Sequence, residues 1–134
     1  MDKALDATVR ERAHGRCEYC HLPQSYSRIR FPIDHVIARQ HDGLAESENL
    51  ALACSRRNRH KGPNIAGLDP LTRQLVRLFH PRRDLWSEHL RWDALAIVGL
   101  TPIGRATVHV LAINSPGNLA VRQEMLADGV FPPT

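Results

Sequence analysis

Ile33-Asp34-His35-Val36-Ile37, Asp42-Gly43, Leu50-Ala51-Leu52-Ala53 and Cys54-Ser55-Arg56-Arg57-Asn58-Arg59-His60-Lys61-Gly62 follow one another in the later part of the first half of the chain. Ile29–Ile37 is rich in β-branched residues and reads as a strand, interrupted at Pro32. Residues 41–49 are polar and contain the turn signal Asp42-Gly43. Leu50–Ala53 reads as a short apolar strand. Ser55–Lys61 is polar and basic, and Gly62-Pro63 supplies a stop, which predicts a short helix. The order strand–turn–strand–helix, followed by mixed elements, predicts an α+β fold.

Outward from this core, Ala7–Arg16 reads as a helix stopped near Gly15, and Cys17-Glu18-Tyr19-Cys20 as a tight turn before the loop 21–28. On the other side, Asp69-Pro70-Leu71-Thr72 reads as a hairpin turn before a strand at Gln74–Phe79. Arg82–Glu88 reads as a short helix, and Leu90–Leu100 as one or two strands with Trp92 and Ile97 inward. Thr101-Pro102 and Ser115-Pro116 are two helix starts, each a capping hydroxyl followed by proline. Ile103, Ala106, Val110 and Ile113 recur at helical spacing in the first of these helices. Leu119, Val121, Met125 and Leu126 supply an apolar face for the second, which Gly129 ends. Nothing looks like a linker, so residues 1–134 are read as one domain. Its motif core is 15–62 and its mixed strand/helix extension is 63–134.

The chain has 134 residues, enough to bury a core without cysteine staples. No apolar run is long enough for a membrane span, and the N-terminal residues have no signal-type stretch. A cytoplasmic location is therefore expected. Aromatic residues are only 5% of the chain, which argues against recognition by rows of stacking rings. The net charge of +4 is unevenly placed. Residues 54–92 hold 9 Lys/Arg against 3 Asp/Glu, while 1–53 hold 7 against 8 and 93–134 hold 2 against 3. A basic block between near-neutral flanks points to an anionic partner, nucleic acid first. Cys17, Cys20 and Cys54 are the only cysteines, and an odd, small number argues against a disulfide framework.

Cys17-Glu18-Tyr19-Cys20, Asp34-His35, Asn49-Leu50 and Cys54 through Gly62 together resemble the HNH endonuclease family. The pattern there is a CxxC pair, an acidic residue before His, an Asn before Leu, and a second CxxC followed by Asn-x-x-Lys-Gly. Phe79-His80-Pro81-Arg82 and Gly104-Arg105-Ala106-Thr107 also resemble segments of bacterial members. The resemblance implies a ββα-metal core and metal-dependent hydrolysis of DNA, leaving a 5′-phosphate and a 3′-hydroxyl. It implies that Asp34 and Asn58 hold the catalytic cation, that His35 is the base, and that the Asn49 amide orients the loop carrying that base. His35 and Asn49 are thus the expected catalytic pair.

The residue types suit that chemistry. Phosphodiester hydrolysis needs an activated water and a cation on the phosphate. A neutral imidazole accepts a proton near pH 7. A carboxylate with an amide carbonyl makes an oxygen-rich, partly filled shell, which suits Mg²⁺ or Mn²⁺. Asp34 and His35 are neighbours, however, so they can serve one site only if the strand ends or bulges there. Arg39, Arg56, Arg57, Arg59, His60 and Lys61 are the expected nucleic-acid contacts, made to phosphates without reading bases. DNA is the expected partner, with RNA an open alternative. So is a non-catalytic nucleic-acid-binding module of the same fold.

The chain departs from the pattern at Arg57, where the fourth cysteine would stand. Arginine stays protonated and cannot ligate zinc. Zinc is therefore left open. Three outcomes stand: zinc held by the three cysteines with His14 or His21, zinc bound weakly with water as fourth ligand, or no zinc.

Overall fold

The computed structural model describes residues 1–133. The fold is α+β, with helices and three two-stranded antiparallel sheets. It is organised as two compact units. The first comprises Met1–Ile65 and His80–Asp84, and the second Ala66–Phe79 and Leu85–Thr134. The whole motif core 15–62 lies in the first unit. No helix among the described residues is long and apolar enough to cross a membrane.

In the first unit, helix α1 (Lys3–Arg12) is capped by Asp2, whose Oδ1 accepts from Ala4 N–H at 2.8 Å. It starts and ends earlier than the expected Ala7–Arg16. His14 and Gly15 both take positive φ, so the helix cannot run through them. The guanidinium of Arg12 then ties α1 to the β2 region by donating to the carbonyl oxygens of Ser47 and Leu50.

Strand β1 (Ile33–His35) pairs with β2 (Leu50–Leu52), setting Ile33 opposite Leu52, Asp34 opposite Ala51 and His35 opposite Leu50. β1 is far shorter than Ile29–Ile37. The missing part has another partner, because the Gln24 side chain donates to Ile29 O and accepts from Phe31 N–H. Ile29 itself is exposed. Helix α2 (Ser55–Lys61) agrees with the expected bounds, and Gly62 at φ +52 ends it. The core beneath holds Val9, Cys17, Tyr19, Phe31, Leu50 and Leu52, all nearly inaccessible.

The second unit begins with the hairpin β3 (Ala66–Leu68) and β4 (Leu75–Arg77). Asp69 closes its turn by accepting from Leu71 N–H and Thr72 Oγ1. The hairpin turn stands where it was expected, and the strand after it, expected over 74–79, is three residues long. Helix α3 is Trp86–His89 rather than 82–88. Residues 90–100 form a hairpin of β5 (Leu90–Asp93) and β6 (Ala96–Gly99), with Ile97 fully buried and Trp92 partly so. Helices α4 (Pro102–Val110) and α5 (Pro116–Ala127) start at Thr101 and Ser115, whose side-chain oxygens accept from the N–H groups of Gly104 and Asn118. A Cβ at Gly104 would stand 1.9 Å from His89 O, so only glycine lets α4 approach that closely.

The buried face of α5 differs from the expected apolar one. Met125 is buried, but Leu126 is about half exposed, and Asn118 and Arg122 are inside. Arg122 donates to Leu95 O, Asn114 Oδ1 and Ile113 O and lies over the Trp92 ring. A polar side chain can occupy a core position when its donors are satisfied in this way.

Candidate active site

β1 ends at His35, so the Asp34-His35 pair lies at the strand end, and its two residues differ in burial. Asp34 is buried and His35 is half-buried. The Asp34 carboxylate points to internal partners. Tyr19 Oη donates to Oδ2 at 2.7 Å, and Lys61 Nζ lies 3.3 Å from Oδ1 and 3.2 Å from Oδ2. Burial raises the Asp34 pKa, and the Lys61 charge with the Tyr19 hydrogen bond pulls against it. Burial, then the negative charge of Asp34, pushes the Tyr19 phenol well up.

Lys61 also donates to the backbone oxygen of His35 at 3.2 Å, so one ammonium touches both residues of the pair. The His35 ring is half-buried, feels the charge of Asp34 and meets Arg39. Arg39 Nε points at its Nε2 from 3.5 Å, the long end of a hydrogen bond, which makes that nitrogen the acceptor. Partial burial, the Arg39 charge and the Lys61 charge lower the His35 pKa against the opposing pull of Asp34. These influences favour the neutral imidazole, the form that accepts a proton.

Asn49 holds the chain that follows His35. Its Oδ1 accepts from Ile37 N–H at 2.9 Å, its Nδ2 donates to Ile37 O and Leu44 O at 3.0 Å each, and its backbone oxygen accepts from Val36 N–H. Asn49 is 6% exposed, so water does not compete for these bonds. Gly43 packs into the same clamp. A Cβ there would stand 1.6 Å from Ile37 O and 2.9 Å from Asn49 Nδ2.

The six basic residues expected at nucleic acid divide sharply. Arg39, Arg56, Arg59 and His60 are exposed. Arg57 and Lys61 are not, at 0% and 1% accessible, where no phosphate reaches them. They stand four residues apart in α2, so they share its inward face. Asn58 sits beside them, half-buried.

Cys17, Cys20 and Cys54 are all buried, and their sulfurs lie within 4.8 Å of one another. Cys20 Sγ and Cys54 Sγ are 3.8 Å apart. Cys20 N–H donates to Cys17 Sγ, and Arg57 N–H donates to Cys54 Sγ. Burial and hydrogen bonds to the other two thiols push Cys17 well up. Hydrogen bonds from Cys17 and Cys54, helped by the Arg57 charge, hold Cys20 well below the usual thiol value. Cys54 is pushed up to about 12. Its bond with Cys17 lowers it, but that with Cys20, burial and the charge at Cys20 outweigh this.

Residues 17–64 match the family described as HNH endonuclease. The chain carries an HNH domain. No curated protein and no solved structure matches the chain.

By residue type, a carboxylate with an amide carbonyl suits a hard divalent cation, and in this structure Lys61 holds the Asp34 carboxylate. An ionised carboxylate offers about four lone-pair directions. The three contacts to Asp34 use up to three of them. The cysteine cluster is close enough for its three thiols to share a metal ion, but a closed zinc site takes four ligands. Among the described residues neither His14 nor His21 joins the cluster.

Two contributors to the HNH domain have no local signal in the sequence. Tyr19 lies 15 positions from the carboxylate it bonds. Glu18 accepts from Leu52 N–H and pairs with Arg82, anchoring segment 80–84 to the CxxC turn. Arg82 is thereby occupied by Glu18. The resemblance at His80-Pro81-Arg82 is the one hint of this contact.

Proposed function

We propose that the chain is a metal-dependent endonuclease that hydrolyses phosphodiester bonds in DNA. One observation carries this reading. A half-exposed imidazole with its Nε2 as acceptor stands next to a buried carboxylate, on a strand end fixed by Asn49. In the proposed reaction Arg39 passes from His35 Nε2 to a backbone phosphate, and that nitrogen takes a proton from water. The oxygen of that water forms a bond to phosphorus as the bond to the 3′ oxygen breaks, leaving a 5′-phosphate. The departing 3′ oxygen takes up a proton and becomes a hydroxyl. Asp34 and Asn58 would hold Mg²⁺ or Mn²⁺, which when bound supplies positive charge to the phosphate oxygens and the leaving oxygen. Asn49 touches no substrate in this scheme and acts as a positioning residue. Arg39, Arg56, Arg59 and His60 hold the backbone phosphates.

Incubation with supercoiled plasmid and Mg²⁺ or Mn²⁺, with a chelator control and a parallel RNA substrate, tests the proposal. Nicked or linear plasmid that disappears on chelation is the expected result. A second reading, a nucleic-acid-binding module that does not cut, is favoured by the engagement of Asp34 with Lys61 and Tyr19. Plasmid binding without cleavage under every metal would establish it, and cleavage of RNA alone would make the enzyme an RNase.

A further inference from the structure

The residue in the fourth corner of the cysteine knuckle is a buried cation. Arg57 is wholly inaccessible, its N–H is bonded to Cys54 Sγ, and its charge acts on Cys20. Zinc held by three thiolates needs a fourth donor, and arginine has none to give. A divalent ion placed between the three sulfurs would also share the buried interior with the Arg57 charge, which already acts on Cys20, and like charges repel strongly where water is excluded.

The knuckle is also tied together by the chain's own contacts. Cys20 and Cys54 are in sulfur–sulfur contact, and the CxxC turn is closed by Cys17 N–H donating to Leu22 O and His21 N–H donating to Cys17 O. Glu18 fastens that turn to β2 in both directions, its N–H donating to Leu52 O and its carboxylate accepting from Leu52 N–H. Each task zinc performs in a knuckle, joining two loops and supplying positive charge to the sulfurs, has an assigned performer here.

We infer that Arg57 replaces zinc in this knuckle, whose three thiols close on a buried guanidinium instead of a metal ion. The inference stands apart from the reading of the cleavage site, which uses none of these four residues.

The test is made on the full chain purified from zinc-supplemented medium. Elemental analysis should find well under one zinc per chain, and a chelator should leave the melting temperature unchanged. Added Co²⁺ should give no sulfur-to-cobalt charge-transfer band. That band separates the thiol cluster from an oxygen and nitrogen site at Asp34, His35 and Asn58. Arg57→Cys should acquire about one zinc per chain, the content of a four-thiolate site. It should also show the cobalt band and melt lower once chelated. Arg57→Met keeps the bulk and removes the charge, so it should melt below the wild type, with added zinc restoring nothing. One zinc per wild-type chain with a saturable cobalt band would overturn the inference. So would an Arg57→Met chain as stable as the wild type.

Discussion

Lys61 Nζ lies within 3.3 Å of both oxygens of Asp34 and donates to the carbonyl oxygen of His35, all in the interior of the first unit. The lysine is thus the internal counter-charge of the carboxylate proposed to hold metal, and a brace for the backbone of the proposed base.

Breaking a buried ion pair from one side leaves an uncompensated charge. Lys61→Met should therefore lower unfolding stability by about 3–5 kcal/mol, the usual range for such a loss. The double variant Asp34→Asn, Lys61→Met should recover much of it. Urea unfolding of the four members of this cycle measures the coupling. Additive losses would mean that the pair is not coupled.

Asn49 should affect rate more than binding. Asn49→Ala strands the Ile37 N–H inside the protein and should cost about 1–3 kcal/mol of stability. If the chain cleaves DNA as proposed, kcat should fall roughly a hundredfold, the order expected when a reacting group shifts by about 1 Å. KM for DNA should hardly change, because no phosphate contact is lost. A rise in KM at constant kcat would assign Asn49 to substrate binding instead.

The His35 titration is set by its surroundings. Its pKa is lowered by partial burial first and by the Arg39 charge next. In metal-free protein the imidazole should titrate below 6.5, and Arg39→Ala should move the midpoint up toward it. NMR of the ring protons measures both. An unchanged midpoint in Arg39→Ala would remove Arg39 from the account.

Acid stability of the second unit should depend on Asp69. Its carboxylate takes two hydrogen bonds from Arg105, at 3.0 and 2.8 Å, which with the turn bonds from Leu71 and Thr72 hold it well below the usual carboxylate value of 3.8. A depressed carboxylate stabilises fully above its unfolded value and loses that contribution as pH falls through the folded one. The Asp69 contribution should thus be flat from neutrality to about pH 5 and decline below about pH 4. Asp69→Asn should lower stability at pH 7 and flatten that acid slope. Equal slopes in both proteins would contradict this.

The elements set by local chemistry were legible in the sequence. Ser55–Lys61 with its Gly62 stop, and the two Ser/Thr-Pro helix starts, depend on residues close in the chain. What depended on distant partners was not. The Gln24 side chain, not a strand, satisfies the backbone around Ile29 and Phe31, and nothing near Ile29 announces it. Arg57 and Lys61 read as solvent-facing because they are charged. Yet Cys54, Arg57 and Lys61 follow one another at spacings of three and four, the period of a buried helix stripe, so their burial was available from the pattern. The Tyr19–Asp34 bond joins positions with no shared local signal. His35, Asn49 and Asp34 were legible only as a set, because each is ordinary by itself.

The most direct test of the cleavage reading is His35→Ala against the wild type on supercoiled plasmid with Mg²⁺ or Mn²⁺, with DNA binding measured in parallel. Loss of cleavage with binding retained, and a chelator that silences the wild type, is the predicted result. Cleavage by His35→Ala at the wild-type rate would contradict the account.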